Sequence, residues 1–221
     1  TFPKPQCVID AINKNLAAIP ANYGRMGINR GDKDILNDTR LIIKQILNAG
    51  AEYYNVITSG STESLNLAIK GLDLIGKNVI ITATEHNSVI RPLKYLEKKG
   101  DISITVVPCN EIGHVDPNEI KNAITNKTAL ICVNHVSNVT GSIQNVRAIS
   151  DIAKAYDILL LIDGSQSAGV IPIDFDEFSP DLFAYTGHKS LYGIQGTGGL
   201  LFKTDLKLKP FKHGGTGTLS Y

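Results

Sequence analysis

Ile158-Leu159-Leu160-Leu161-Ile162-Asp163-Gly164-Ser165-Gln166 is the stretch from which the fold of this chain can be read. A short apolar run that stops at an acid and a glycine has the length and ending of a buried strand. Similar runs lie at 54–58, 78–83, 102–108, 129–134, 182–186 and 199–202, with 159–163 making seven. Amphipathic stretches separate most of them, at 5–19, 33–49, 61–74, 88–99, 117–122 and 146–156. Strands alternating with helices indicate an α/β fold around a mostly parallel sheet. The last two runs are separated only by residues 187–198, rich in glycine and too short for a crossover helix. That pair is expected to be antiparallel, giving a mixed seven-stranded sheet with one reversed strand. Two helix starts carry end signals: Asp116-Pro117 places an acceptor at the cap and proline in the first turn, and Ser61-Thr62-Glu63 offers a hydroxyl cap followed by an acid.

The 221 residues contain no tandem repeat and no linker, so one domain is expected throughout. With 43% apolar and 19% charged residues the chain is neither disordered nor fibrous. Its 22 basic and 21 acidic residues nearly cancel, which leaves no electrostatic footprint for nucleic acid or an anionic membrane surface. A small-molecule ligand is expected instead. No apolar run approaches the roughly 18 residues of a membrane span, and Thr1-Phe2-Pro3-Lys4-Pro5 has no signal-peptide pattern, so a cytoplasmic location is expected. Cys7, Cys109 and Cys132 form no CxxC pair and sit among apolar neighbours. They are expected to be buried structural thiols, with neither a disulfide framework nor a metal site.

In an open α/β sheet, ligands bind where the strands end and the strand-to-helix loops gather. Those loops read Ser59-Gly60-Ser61-Thr62, Glu85-His86-Asn87, Asn134-His135-Val136-Ser137-Asn138, Asp163-Gly164-Ser165-Gln166 and Thr186-Gly187-His188-Lys189, and every one is polar. Ser59-Gly60-Ser61-Thr62 puts a glycine and hydroxyls at a helix N-terminus, which favours a phosphate. Asp163 delivers a carboxylate into a low-dielectric setting that demands a cationic or donor partner, and a protonated pyridine nitrogen would serve. Lys189, at the mouth of a buried strand, can have its amine pKa lowered and act as a Schiff-base nucleophile.

Thr186-Gly187-His188-Lys189-Ser190-Leu191-Tyr192-Gly193, with Asp163-Gly164-Ser165-Gln166 upstream, resembles the class V aminotransferase branch of fold-type I pyridoxal-phosphate enzymes. Within it the chain is most similar to the cysteine desulfurase and selenocysteine lyase families. Ser59 to Asn66 resembles the phosphate loop, Thr84-Glu85-His86-Asn87-Ser88 the histidine segment, and His135 to Gly141 the asparagine segment. The resemblance implies a three-layer α/β/α large domain binding pyridoxal 5'-phosphate. It implies that Lys189 forms the Schiff base and later moves protons at the substrate Cα, that Asp163 pairs with the ring nitrogen, and that His86 stacks on the ring and handles a proton. Gln166 and Asn138 would lie at the ring hydroxyl oxygen, with Asn138 also near the substrate carboxylate. Ser61, Thr62, Thr186 and His188 would hold the phosphate.

The family begins with Asp-Asn-Ala-Ala-Thr before a Phe-Pro-Lys-Pro-like segment, and Thr1 stands where that threonine would. The expectation is therefore a large domain over 1–221, incomplete at its N-terminus and without the C-terminal small domain. That small domain would carry the substrate-carboxylate arginine and the nucleophilic cysteine. Thr216 lies near the segment that would reach a partner subunit's phosphate, and receives no role. The implied reaction converts L-cysteine to L-alanine, passing sulfur to an enzyme persulfide. A homodimer and a sulfur-acceptor protein are implied with it, and the 221 residues alone are expected to bind cofactor without turning over. Two alternatives stay open: an aminotransferase or amino-acid lyase of the same branch acting on another amino acid, and a non-catalytic nucleotide-binding domain. Neither G-x-G-x-x-G after a strand nor a Walker motif supports the last.

Overall fold

A computed structural model describes residues 3–17 and 34–213. In chain order its elements are α1 (Gln6–Leu16), α2 (Ile35–Ile46), β1 (Tyr53–Thr58), α3 (Ser61–Gly71), β2 (Lys77–Thr82), α4 (Asn87–Lys98), β3 (Ile102–Val107), α5 (Pro117–Asn122), β4 (Thr128–Asn134), α6 (Val146–Ala155), β5 (Leu159–Asp163), α7 (Phe175–Phe178), β6 (Leu182–Thr186) and β7 (Gly198–Lys203). The seven strands form one sheet in the order β1-β7-β6-β5-β4-β2-β3. β7 runs antiparallel to both β1 and β6, while the other neighbouring pairs are parallel. The single reversed strand follows from the short β6–β7 connection, as the sequence predicts.

Period-two alternation along the inner strands divides the apolar residues between two faces. Leu160 and Ile162 of β5 join Ile131, Val133 and Phe183 in one core, beneath Ile149 and Ala153 of α6 and Ile120 of α5. Leu161 joins Cys132, Leu182 and Ala184 in the other, beneath Leu65, Ala68 and Ile69 of α3 and Val89 and Leu93 of α4. These two cores make the three layers. Asp163, two residues beyond Leu161, continues the alternation towards the α3–α4 side. Apart from β3, which ends on Val107, the mutually parallel strands end on polar residues, with Asn134 beside Asp163 in register and Thr58 and Thr186 flanking Gly198. The same rhythm that buries leucine therefore ends in a row of hydrogen-bonding groups.

Element ends differ from the sequence reading where tertiary contacts intervene. The helix expected over 61–74 stops at Gly71, whose carbonyl accepts from Lys209 N at 2.8 Å as the chain returns. The helix expected over 33–49 stops at Ile46, and Asn48 takes φ 47° before the turn into β1. Its expected first residue, Lys33, and the end of the helix expected over 5–19 lie outside the described residues, as do 214–221 with Thr216. α7 was not anticipated, because four residues are too few to carry a helical period. Asp116 caps α5 as expected, accepting from Asn118 N at 2.9 Å.

Two expectations are corrected. α3 has no hydroxyl cap: Gly60 occupies the cap position, and Ser61 is the first helical residue. The cysteines are not all buried either. Cys132 is buried in β4, Cys109 is partly buried, and Cys7 is exposed on α1, a helix with no buried residue. Apolar sequence neighbours predict burial only where another layer covers them. Among the described residues no helix is long and apolar enough to cross a membrane.

Candidate active site

Ser61, His86, Asn134, Val136, Asn138, Asp163, Ser165, Gln166 and Lys189 line one cavity over the strand ends, with about 300 Å³ of space that includes open solvent. Six of the sequence-predicted residues meet there: Ser61, His86, Asn138, Asp163, Gln166 and Lys189. The other three lie beside it. Thr62 is exposed, with its hydroxyl 2.8 Å from Ser88 Oγ, and lines the adjoining groove together with His86. Thr186 is buried, and its Oγ1 lies 3.1 Å from Nδ1 of the half-buried His188.

The turn before α3 is shaped for a close approach. Gly60 has φ +145°, a conformation available to glycine, and a Cβ on Gly198 would stand 2.6 Å from Gly60 Cα. With glycine at the cap, no side chain takes the first-turn amides, and these amides have no acceptor within the helix. Glu63, the acid in that turn, is turned away from them: its carboxylate accepts from Ser59 N at 2.8 Å and Ser59 Oγ at 2.7 Å, and pairs with Lys212. Those contacts, Lys212 first, pull its pKa down to about 2. The result is an open helix N-terminus flanked by hydroxyls.

Asp163 is buried at 5% exposure. Ser165 donates to its Oδ1 through both the backbone amide and the hydroxyl, which leaves Oδ2 with no protein donor among the described residues. Lys189 lies in the folded-back connection between β6 and β7, where Gly187 N donates to Thr197 O at 2.8 Å and Gly193 N to Gly187 O at 2.7 Å. Burial lowers the pKa of its amine, and the negative charge of Asp163 works in the opposite direction. His86 caps α4, its Nδ1 accepting from Ser88 N at 3.1 Å, and its ring is exposed at the cavity rim.

Ser165, Asn134 and Glu85 are functional neighbours that the sequence reading left without a role. Ser165 was detectable from Asp163-Gly164-Ser165, an arrangement in which an aspartate accepts from the amide two residues on. Asn134 and Glu85 carry no such signal, because the contacts that hold them together join the ends of β2 and β4, about 50 residues apart. Thr84 Oγ1 donates to Asn134 Oδ1 at 2.8 Å, and Asn134 Nδ2 donates to Thr84 O at 2.7 Å.

A sheet with one reversed strand, a bare helix N-terminus, a buried acid and a lysine of lowered pKa around one cavity define a class of protein, and the family comparison agrees. The aminotransferase class V family matches residues 1–220, and the chain belongs to that family of pyridoxal-phosphate-dependent enzymes. Among its relatives, the cysteine desulfurase IscS of Dictyoglomus turgidum is 41% identical over 165 residues, 73% of this chain and 41% of that protein. The cysteine desulfurase IscS of Methanosarcina thermophila is 37% identical over 97% of this chain and 54% of its own length. A NifS-like protein from Rickettsia africae superposes with a TM-score of 0.84 at 26% identity, covering 97% of this chain and 59% of that one. SspA in complex with cysteine superposes with a TM-score of 0.80 at 29% identity, covering 97% of this chain and 63% of that one. The chain thus spans about half the length of the curated relatives it matches.

Proposed function

We propose that this chain is the cofactor-binding part of a cysteine desulfurase that uses pyridoxal 5'-phosphate, takes sulfur from L-cysteine and leaves L-alanine. The observation that carries the reading is the convergence of Lys189, Asp163, Gln166, Asn138, His86 and Ser61 on one cavity. The names of the relatives supply the substrate class. The donor set suits the cofactor: a helix N-terminus without a side-chain cap matches a phosphate, and a buried carboxylate with one oxygen unused matches a protonated ring nitrogen.

When bound, pyridoxal phosphate supplies an electron sink for a carbanion at the substrate Cα. Lys189 would hold its aldehyde carbon; the burial that lowers its pKa favours the neutral, nucleophilic amine and equips the same nitrogen to take a proton at Cα. Asp163 Oδ2 would accept from the ring nitrogen and keep it protonated, while Ser165 fixes the carboxylate through Oδ1. Ser61, with the first-turn amides, would take the phosphate; Thr62, Thr186 and His188 would complete that cup from its flanks. Gln166 and Asn138 would donate at the ring oxygen, and His86 would cover the exposed ring face and hold a proton there.

The reading carries three further proposals: a homodimer, a sulfur-acceptor protein and a cytoplasmic setting. The first is supported by α2, on which Ile35, Leu36, Leu41, Ile42 and Ile46 are exposed. Mixing the purified chain with pyridoxal phosphate, reducing with borohydride and mapping the product by mass tests the cofactor assignment. A visible absorption band and an adduct on Lys189 are expected; their absence would overturn it. For the protein with the full length of its relatives, sulfide and alanine from cysteine support the desulfurase, whereas exchange of the amino group with a keto acid would replace it with an aminotransferase.

A further inference from the structure

Glu85 immediately precedes His86 and is only 7% exposed. Its Oε1 accepts from Thr82 Oγ1 at 2.7 Å and from Asn134 N at 2.8 Å, while its Oε2 is buried with no partner. The charge that reaches it is that of Asp163 on β5, and on β4 the buried thiol of Cys132 has Glu85 as its own electrostatic neighbour. No lysine, arginine or histidine pairs with it among the described residues. A carboxylate buried here would face the like charge of Asp163 with one oxygen wholly unsolvated, which is prohibitive. A neutral acid suits the site, with a carbonyl oxygen taking the two donors and an O–H at the other position.

We propose that Glu85 is a positioning residue of this site, a neutral, proton-carrying carboxyl that ties the end of β2 to the end of β4 and so fixes His86 and Asp163 beside one cavity. Through Oε1 it joins a β2 hydroxyl to the last amide of β4, and Asn134, which owns that amide, is the register partner of Asp163. The following residue is His86, the cap of α4. The tie thus runs from the histidine segment through β4 to the strand carrying the acid. Keeping Glu85 neutral also leaves Asp163 as the single carboxylate of the cluster, free to face a cation. Burial and the charge of Asp163 raise the Glu85 pKa to about 8, in line with this arrangement.

The part of this inference that concerns the cofactor rests on the function proposed above; the protonation and the clamp do not. Glu85 carries a pH signature that a purely structural contact lacks. The unfolded carboxyl ionises near its ordinary value of 4.5 and the folded one near 8, so its stabilising contribution is complete below 4.5 and is lost as pH rises to 8. Below about pH 6.5 the buried His135 opposes that trend, which leaves a net fall between about pH 6.5 and 8, at up to tenfold per pH unit in the unfolding constant. Thermal unfolding of the cofactor-free chain from pH 5 to 9 is the measurement, with E85Q and E85A alongside. The expected result is a falling limb above pH 6.5 in the unsubstituted chain and none in E85Q, whose melting temperature at pH 8 equals or exceeds that of the unsubstituted chain. E85A should melt lower at every pH and form less borohydride-trapped adduct on Lys189, with E85Q restoring both. A chain without the alkaline limb, an E85Q variant that keeps it, or an E85Q as impaired as E85A would overturn the proposal. Should no variant form an adduct while the pH behaviour holds, the cofactor assignment falls and the neutral clamp stands.

Discussion

The strand ends at β2, β4, β5 and β6 and the helix pair α1–α2 break the rule of polar outside and apolar inside in opposite senses. At the strand ends Asp163, Glu85, Asn134, His135 and Thr186 are buried, each at 7% exposure or less. On α1 and α2 no residue is buried, and Leu16 is 79% exposed. Burying polar groups is costly unless each finds a partner: Glu85 and Asn134 find theirs across the β2 and β4 ends, and Asp163 and Thr186 find theirs two residues on. Exposing leucine and isoleucine is costly unless another surface covers them. The difference teaches that the first region meets its polar demands largely within this chain, down to an unused acceptor on Asp163, whereas the second shows apolar side chains that the described residues leave uncovered.

Removing the amine at the centre of the first region should have the largest effect. Lys189→Ala is expected to abolish the borohydride-trapped pyridoxal-phosphate adduct, read by intact mass, while leaving the melting temperature close to that of the parent. Core truncation comes next and contrasts the two regions directly. Leu161→Ala, at a position with 0% exposure, should cost about 3 kcal/mol in denaturant unfolding. Ile42→Ala, at 53% exposure, should cost less than about 0.5 kcal/mol, and an equal loss at both sites would show that α2 is already packed.

His135 gives a pH test of the finished region. Its ring is 3% exposed, edge-on to Phe178 with centroids 5.2 Å apart, and burial lowers its pKa to about 4. The unfolded ring takes a proton near pH 6.5 and the folded ring resists it, so its stabilising contribution is complete above 6.5 and is lost as pH falls to 4. Across that window the loss amounts to about 3 kcal/mol, and the parent chain hides it above pH 4.5 because Glu85 changes in the other direction. In E85Q the acid limb should therefore appear between pH 4.5 and 6.5 in urea titrations. The smallest expected effect concerns the cup: Gly60→Ala, at φ +145°, should cost about 1–2 kcal/mol and weaken binding of inorganic phosphate.

Asp163 and Lys189 can be picked out along the chain because each follows an apolar run, and the geometry places both on the cavity. Ser61 can be picked out as well, although the same pattern misleads about the cap: a hydroxyl ahead of a helix reads as a cap, and only the φ of +145° that the backbone takes there explains why glycine holds that place. Glu85 lies in a recognisable segment yet looks like any loop glutamate, since its pairing depends on Asn134, 49 residues away. Cys7 errs in the other direction, with apolar neighbours but no layer above it.

The order of strands and helices along the chain, the reversal of β7 and the polarity of the loops after β1, β2, β4, β5 and β6 were settled by the sequence alone, because length, period and turn residues act locally. Which of those polar groups are buried, that Glu85 keeps its proton and Asp163 keeps a free oxygen, and that most apolar side chains of α2 stand uncovered by the described residues were decided only by the tertiary structure. Desolvation and pairing depend on what neighbouring strands bring within reach, and no local pattern encodes that.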